Sequence, residues 1–521
     1  MSQETQDNRP QRAGGRKARQ ALRAAPLAED VKPVRGGIEG GTYLPLTQED
    51  CKRIHETALD ALETIGIADA PQSGVDAMVA SGAVQGDDGR VRIPRALVED
   101  MVSKAGRGFT LCGQDSRHDL QPGGARVHFG TAGAAVHLVD VESRTYREST
   151  LRDLYDAARI TDTLEHIHYF QRCMVARDLT NSREMDVNTC YASVAGTTKH
   201  VGTSFVSPKH AQEGLAMLYQ IAGSEQAYRS RPFVSLSCTF VVPPLKFATE
   251  SCQVMEEAIR GGMPVLLLSA GQAGATAPAA IAGTIAQAVA ECLAGVVYVN
   301  SISPGFPAVF GPWPFVSDLR TGAMSGGSGE QALLSAACGQ MARFYDLPGG
   351  SAAGMTDAKL PDQQAGYEKG ISNVMAGLSG INMIYESAGM HASLMGFCHE
   401  SLLIDNDLIG QSLRCVRGIE VNDATLSLEV MRQVCLEGPG HYLGHAQTLD
   451  LMQREYLYPE LANRSSPKEW VEEERPDIVE QATKAKQRIL SEHFPDHIPD
   501  ALDDSLRENF PIRLPREAMK P

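Results

Sequence analysis

Four short stretches carry most of the side chains that could do chemistry, and three of them directly follow runs that read as β-strands. In Phe310-Gly311-Pro312-Trp313-Pro314-Phe315, two prolines stiffen a segment holding one of only two tryptophans. Rings held this way can surround an alkylammonium ion, at roughly 0.5–2 kcal/mol per ring. Phe310, Trp313 and Phe315 are therefore candidate substrate-binding residues; the alternative is that Trp313 and Phe315 plug the strand ends. In Gly354–Glu368, Asp357 could balance a bound cation and Tyr367 could point a hydroxyl or ring at substrate, while Asp362 reads as a helix N-cap. In Tyr385-Glu386-Ser387-Ala388-Gly389-Met390-His391, Glu386 is a counter-ion or a buried salt-bridge partner. His391 is a carboxylate donor, an acid/base or a structural histidine. The fourth stretch, Gly438–Thr448, places His441 and His445 four apart, but its glycines favour a lid or interface loop over a metal-binding helix.

These segments need a scaffold, and the hydrophobic periodicity supplies one. Thr47 precedes Gln48, Glu49 and Asp50 as a helix start, and Gly66 is placed to stop that helix. Residues 41–150 read as an N-terminal α+β portion with short strands at Phe109–Cys112, Arg126–Gly130 and Ala135–Val139. From 151 to about 400 helices and strands alternate. Strands are expected at Ile167–Cys173, His200–Val206, Phe233–Phe240, Pro264–Ser269, Pro307–Gly311, Gly350–Gly354 and Ile381–Ser387. Seven such repeats, with an eighth not located, predict an α/β fold: a (β/α)8 TIM barrel with an N-terminal α+β extension and a helical C-terminal extension over 401–521. In such a barrel function sits where strands end. Residues 1–40, with Arg9, Arg12, Arg16, Lys17, Arg19 and Arg23, read as a flexible basic arm or a strap over a neighbouring subunit.

Composition excludes several classes of function. The 521 residues carry a net charge of −16, which argues against a general nucleic-acid or anionic-membrane surface. The 11 cysteines form no Cys-x-x-Cys pair and read as buried free thiols of a cytoplasmic protein. The most apolar run, Pro278–Val299, contains Gln287 and Glu291 and is expected to be a buried helix. No P-loop, His-Glu-x-x-His or Asp-x-His-x-x-Gly pattern occurs. The glycines of Gly327-Ser328-Gly329 read as a loop before a helix.

Phe129-Gly130-Thr131-Ala132-Gly133, Phe170-Gln171-Arg172, Gln340–Tyr345, Thr356-Asp357-Ala358-Lys359, Gln364-Ala365-Gly366-Tyr367-Glu368, Arg417–Val421 and His441–His445 together resemble the trimethylamine methyltransferase family. The resemblance implies a TIM barrel and methyl transfer from a methylamine to the Co(I) corrinoid of a separate carrier protein, with no tightly bound cofactor and no metal. The trimethylamine enzymes of methanogens contain pyrrolysine, placed by this resemblance where the chain has Tyr367. The chain thus looks like the non-pyrrolysine branch, which demethylates quaternary amines such as glycine betaine. Trimethylamine as substrate, or a non-catalytic betaine-binding or regulatory protein, are the alternatives. A homo-oligomer is expected.

Overall fold

A computed structural model describes Ala28 and residues 31–521. Most of the basic arm therefore lies outside the described residues. The chain divides into two compact units. One contains Gly36–Gly418 and Pro459–Pro521; the other contains Ile419–Tyr458 and, among the described residues before Gly36, residues 31–35.

The larger unit is built on eight parallel strands: β1 (Arg126–Phe129), β2 (Tyr169–Gln171), β3 (His200–Thr203), β4 (Val234–Cys238), β5 (Val265–Ser269), β6 (Ala308–Pro312), β7 (Gly350–Ala352) and β8 (Met383–Tyr385). Ladders join β2 through β6 in chain order, and β7 to β8 to β1. Single parallel bridges, Gly130 with Tyr169 and Phe310 with Gly349, connect the two groups.

One helix follows each strand: α1 (Leu151–Thr163), α2 (Ser182–Gly196), α3 (Pro208–Ile221), α4 (Thr249–Gly261), α5 (Ile281–Ile302), α6 (Gly329–Phe344), α7 (Gln363–Ser379) and α8 (His399–Arg417). Their starts follow local chemistry. Thr150 and Asp153 form a capping box on α1, and Ser207, Ser328 and Asp362 cap α3, α6 and α7. The helix predicted at Thr47 runs over Gln48–Asp60 with a capping box, continues as a π-turn and ends at Gly66.

The eighth strand, not located in the sequence reading, is β1. It lies within the segment assigned to the N-terminal portion, and its ladder with β8 gives Met383 and Ile384 the partners His128 and Phe129. A boundary at 150 therefore cuts the parallel array. The strand expected at Phe109–Cys112 is reduced to one bridge between Leu111 and Leu120.

Helix α5 is long and apolar enough to cross a membrane, yet most of it is buried within the protein. The helices Gln48–Asp60, Gln72–Ala80 and Arg95–Lys104 pack along it. Glu291 is tolerated inside because its carboxylate accepts from the Leu245 amide at 2.8 Å, the Gln287 amide and the Ser269 hydroxyl. Nine cysteines are buried and free as expected; Cys415 and Cys435 are exposed, which corrects the expectation for those two.

The helix Ile478–Glu492 packs on α1 and α8. Arg159 of α1 holds its end. The guanidinium is fully buried, donates to the carbonyls of Leu490 and His493 and to Asp156, and lies 4.2 Å over the Phe494 ring. Arg159→Ala should lower stability by roughly 2–4 kcal/mol and open the chain after Asp477 to limited proteolysis. Parent-like melting and cleavage would show that the contact contributes nothing.

Candidate active site

Three aromatic rings meet within the strand array, one from the start of β2 and two from the carboxyl ends of β8 and β6. Tyr169 of β2 lies 5.2 Å from Tyr385 of β8, and Tyr385 lies 4.9 Å from Trp313, the residue after β6. Two glycines make room. A Cβ on Gly130 would come within 2.3 Å of the Tyr169 ring, and one on Gly350 within 2.8 Å of the Tyr385 ring. The Tyr169 hydroxyl donates to the Ile384 carbonyl at 2.8 Å, which fixes its ring, and the Trp313 amide donates to the Ser269 carbonyl at 2.8 Å.

Beside these rings the chain turns through Glu386, which has a φ of 62° and is 2% exposed. A left-handed conformation is uncommon for a residue with a side chain, and its strain is tolerated where the surroundings over-determine it. Here the flanking Ser387 amide is tied to the Gly130 carbonyl at 3.0 Å, and the Ala353 amide to the Tyr385 carbonyl at 2.9 Å. Burial pushes the Glu386 carboxyl up to about 8. Its Oε2, Trp313 Nε1 and Thr203 Oγ1 are buried polar atoms with no hydrogen-bond partner among the described residues. Aromatic faces beside an unmatched acid form an environment suited to an organic cation.

The loops carrying these groups are braced to one another. Asp357 accepts from the Ser325 hydroxyl at 2.7 Å, the Gly326 amide at 2.8 Å and the Ser393 hydroxyl. This links the loops after β6, β7 and β8. Glu368 on α7 accepts from the Thr356 hydroxyl, the Asp357 amide at 2.8 Å and the Gln364 amide at 2.9 Å. Lys369 and Asp405 form a buried ion pair at 2.6 Å, and Asp405 also accepts from the Gly389 amide at 2.8 Å.

Several expectations need correction. Asp357 has its carboxylate filled by loop donors, so it is a brace and not a free counter-charge. Tyr367 is 59% exposed on α7 and has no ring contact with Tyr169, Tyr385 or Trp313. Its neighbours Gln364 and Glu368 bond to each other, and Glu368 holds the loop at Thr356 and Asp357. Phe310 is buried in the main core against Tyr345, 5.7 Å between centroids. Phe315 is buried in a short ladder opposite Gln272, and the ring against Trp313 is that of Tyr385. His391 is fully buried, bonded through Nε2 to Ser401 Oγ at 2.7 Å, and held neutral by burial and by Lys369. Glu386 and Trp313 are the two predicted residues that the structure brings to the ring cluster. Tyr169 and Tyr385 were missed as site residues, although both lie in stretches the sequence reading singled out.

The chain belongs to the trimethylamine methyltransferase (MTTB) family, whose model matches residues 12–517. It is thereby a methyltransferase of a family acting on methylated amines. Trimethylamine methyltransferase MttB of Desulfitobacterium hafniense is 29% identical over 461 residues, covering 88% of this chain and 92% of that protein. The glycine betaine methyltransferase of the same species is 28% identical, with coverage of 87% and 93%. Trimethylamine methyltransferase MttB2 of Methanosarcina mazei is 31% identical, with coverage of 86% and 90%. Among solved structures, the monomethylamine methyltransferase of Methanosarcina barkeri aligns with a TM-score of 0.46 and 12% identity, covering 86% of this chain and 95% of that one.

Two substitutions probe the geometry. Gly130→Ala should displace the Tyr169 ring and cost about 1–3 kcal/mol, read as a fall in Tm; an unchanged Tm would mean the ring has another place to go. Glu386 has a native pKa above that of the unfolded chain, so its contribution is fully present at acid pH and is lost as pH rises to about 8. The Tm of Glu386→Gln relative to the parent should therefore climb between pH 5 and 8 and level off above that. A constant difference would show a carboxylate already matched by positive charge.

Proposed function

We propose that this protein transfers a methyl group from a quaternary amine of the glycine betaine type to the Co(I) corrinoid of a separate carrier protein, in the cytoplasm. We read the eight parallel strands as a (β/α)8 barrel with the reaction at its carboxyl mouth. The observation that carries this reading is the Tyr169–Tyr385–Trp313 group beside the buried, unmatched Glu386.

A quaternary nitrogen brings its own positive charge. Its arrival favours the ionised form of Glu386, so the cation and the expelled proton exchange places. The rings add cation–π attraction and keep water away from the methyl groups. During transfer the nitrogen keeps the electron pair of the breaking C–N bond and leaves as a neutral tertiary amine. The acceptor supplies the pair for the new bond. No proton need be delivered to the nitrogen, so the chain's own task is orientation of one methyl along the line of attack. Exposed Val206, Val242, Leu319 and Met395, on loops after β3, β4, β6 and β8, give the mouth an apolar rim suited to a docking carrier.

Incubation with glycine betaine and reduced corrinoid acceptor should yield dimethylglycine and methylated acceptor in equal amounts. Trp313→Leu should weaken betaine binding by about tenfold, the equivalent of one lost cation–π contact of about 1.4 kcal/mol. Turnover of trimethylamine alone would move the substrate to the tertiary amine. Binding without transfer would make this a binding protein.

A further inference from the structure

Residues 419–458 are ordered without a core of their own. They contain short helices at Asp423–Leu426, Leu428–Arg432 and Ala446–Leu451 with specific local bonds. Asn422 caps the first, Gln447 donates to Ser427 Oγ at 2.8 Å, and the Tyr458 hydroxyl donates to the Met452 carbonyl at 2.8 Å. Yet only Val434 is buried in this stretch. Ile419, Val421, Leu428, Leu436, Leu443 and Tyr456 are all more than 60% exposed. One buried side chain cannot offset the entropy of fixing so much backbone, and an apolar surface this concentrated marks a contact with something else.

Charge selects the occupant. The stretch holds six acidic residues (Glu420, Asp423, Glu429, Glu437, Asp450 and Glu455) against Arg432 and Arg454. Residues 9–23 hold six basic residues and no acidic one. Among the described residues, 31–35 belong to the same compact unit as Ile419–Tyr458, and at most about 15 Å of backbone separates Leu27 from Val31. A two-fold contact of the acidic patch with itself would set like charges face to face.

We propose that the segment 9–27 of this chain, in the same or a neighbouring copy, covers the apolar, acidic surface of residues 419–458. Arginine and lysine stems lie on the apolar side chains while their charges meet the carboxylates.

Hydrogen exchange of the full chain tests this, compared with a chain lacking residues 1–27 and with the full-length variant Arg12→Glu, Arg16→Glu, Arg19→Glu. Both changes should speed amide exchange across 419–458 at least tenfold, leave the strands β1–β8 unaffected, and be mimicked by high salt. A synthetic peptide of residues 9–27 should restore protection to the truncated chain. Exchange in 419–458 that is the same in all three proteins overturns the proposal, as does protection that appears only when a second protein is added. In a Cys415→Ser, Ala18→Cys chain, a bismaleimide bridge to Cys435 then assigns the copy: a monomer-sized product means the same chain, and a dimer-sized product a neighbour.

Discussion

A carboxyl group carried into a protein interior must stay protonated or meet a positive charge. Glu386 is held in the first condition by burial, and in the proposed function it meets the second when the amine binds. Its backbone is in the left-handed region, so the side chain leaves the strand end in a direction an ordinary residue there would not take. Burial pushes its carboxyl up to about 8, and among the described residues no cation is paired with it. By contrast Asp405, equally buried, already has Lys369. The difference between these two acids separates the part of the network that holds shape from the part that can respond to a ligand.

Everything around Glu386 serves to hold that one conformation. Gly130 and Gly350 give up their side chains so that Tyr169 and Tyr385 can stand side by side. Asp357 and Glu368 tie three loops together, and the Lys369–Asp405 pair pins Gly389. These braces lie outside the ring cluster, on loops and on α7 and α8. Pre-organisation of this kind is what a reaction dependent on orientation requires, because the cost of ordering is met during folding and not at substrate binding.

The sequence was most legible where local chemistry decides. Helices α1, α3, α6 and α7 begin at the residues that capping predicts, since a Ser, Thr or Asp before an apolar period acts within four residues. β1 was not recognised as part of the parallel array because its neighbours in space, β8 and Tyr169, are remote in sequence. The site was partly legible for the same reason. Trp313 and Glu386 stand out at strand ends, but the choice between a free carboxylate and a filled one depends on donors from other loops. Asp357 looked like the available acid and is the saturated one. Tyr367 drew attention through its neighbours, while the helical turn that buries Glu368 leaves Tyr367 in solvent. Tyr169 and Phe170 are adjacent, and only the pleat of the assembled strand distinguishes the ring that faces Tyr385.

The ladder between β1 and β8 has a consequence for how this chain is made. On the ribosome, Val127 and Phe129 emerge long before Met383 and Ile384, so β1 spends most of synthesis with one edge lacking its permanent neighbour. An apolar strand edge in that condition pairs with whatever strand it meets. The short strand Ile38–Glu39, made earlier still, pairs with Val127 and Arg126 along the opposite edge, so it covers that side of β1 and leaves the β8 edge open until Met383 and Ile384 arrive.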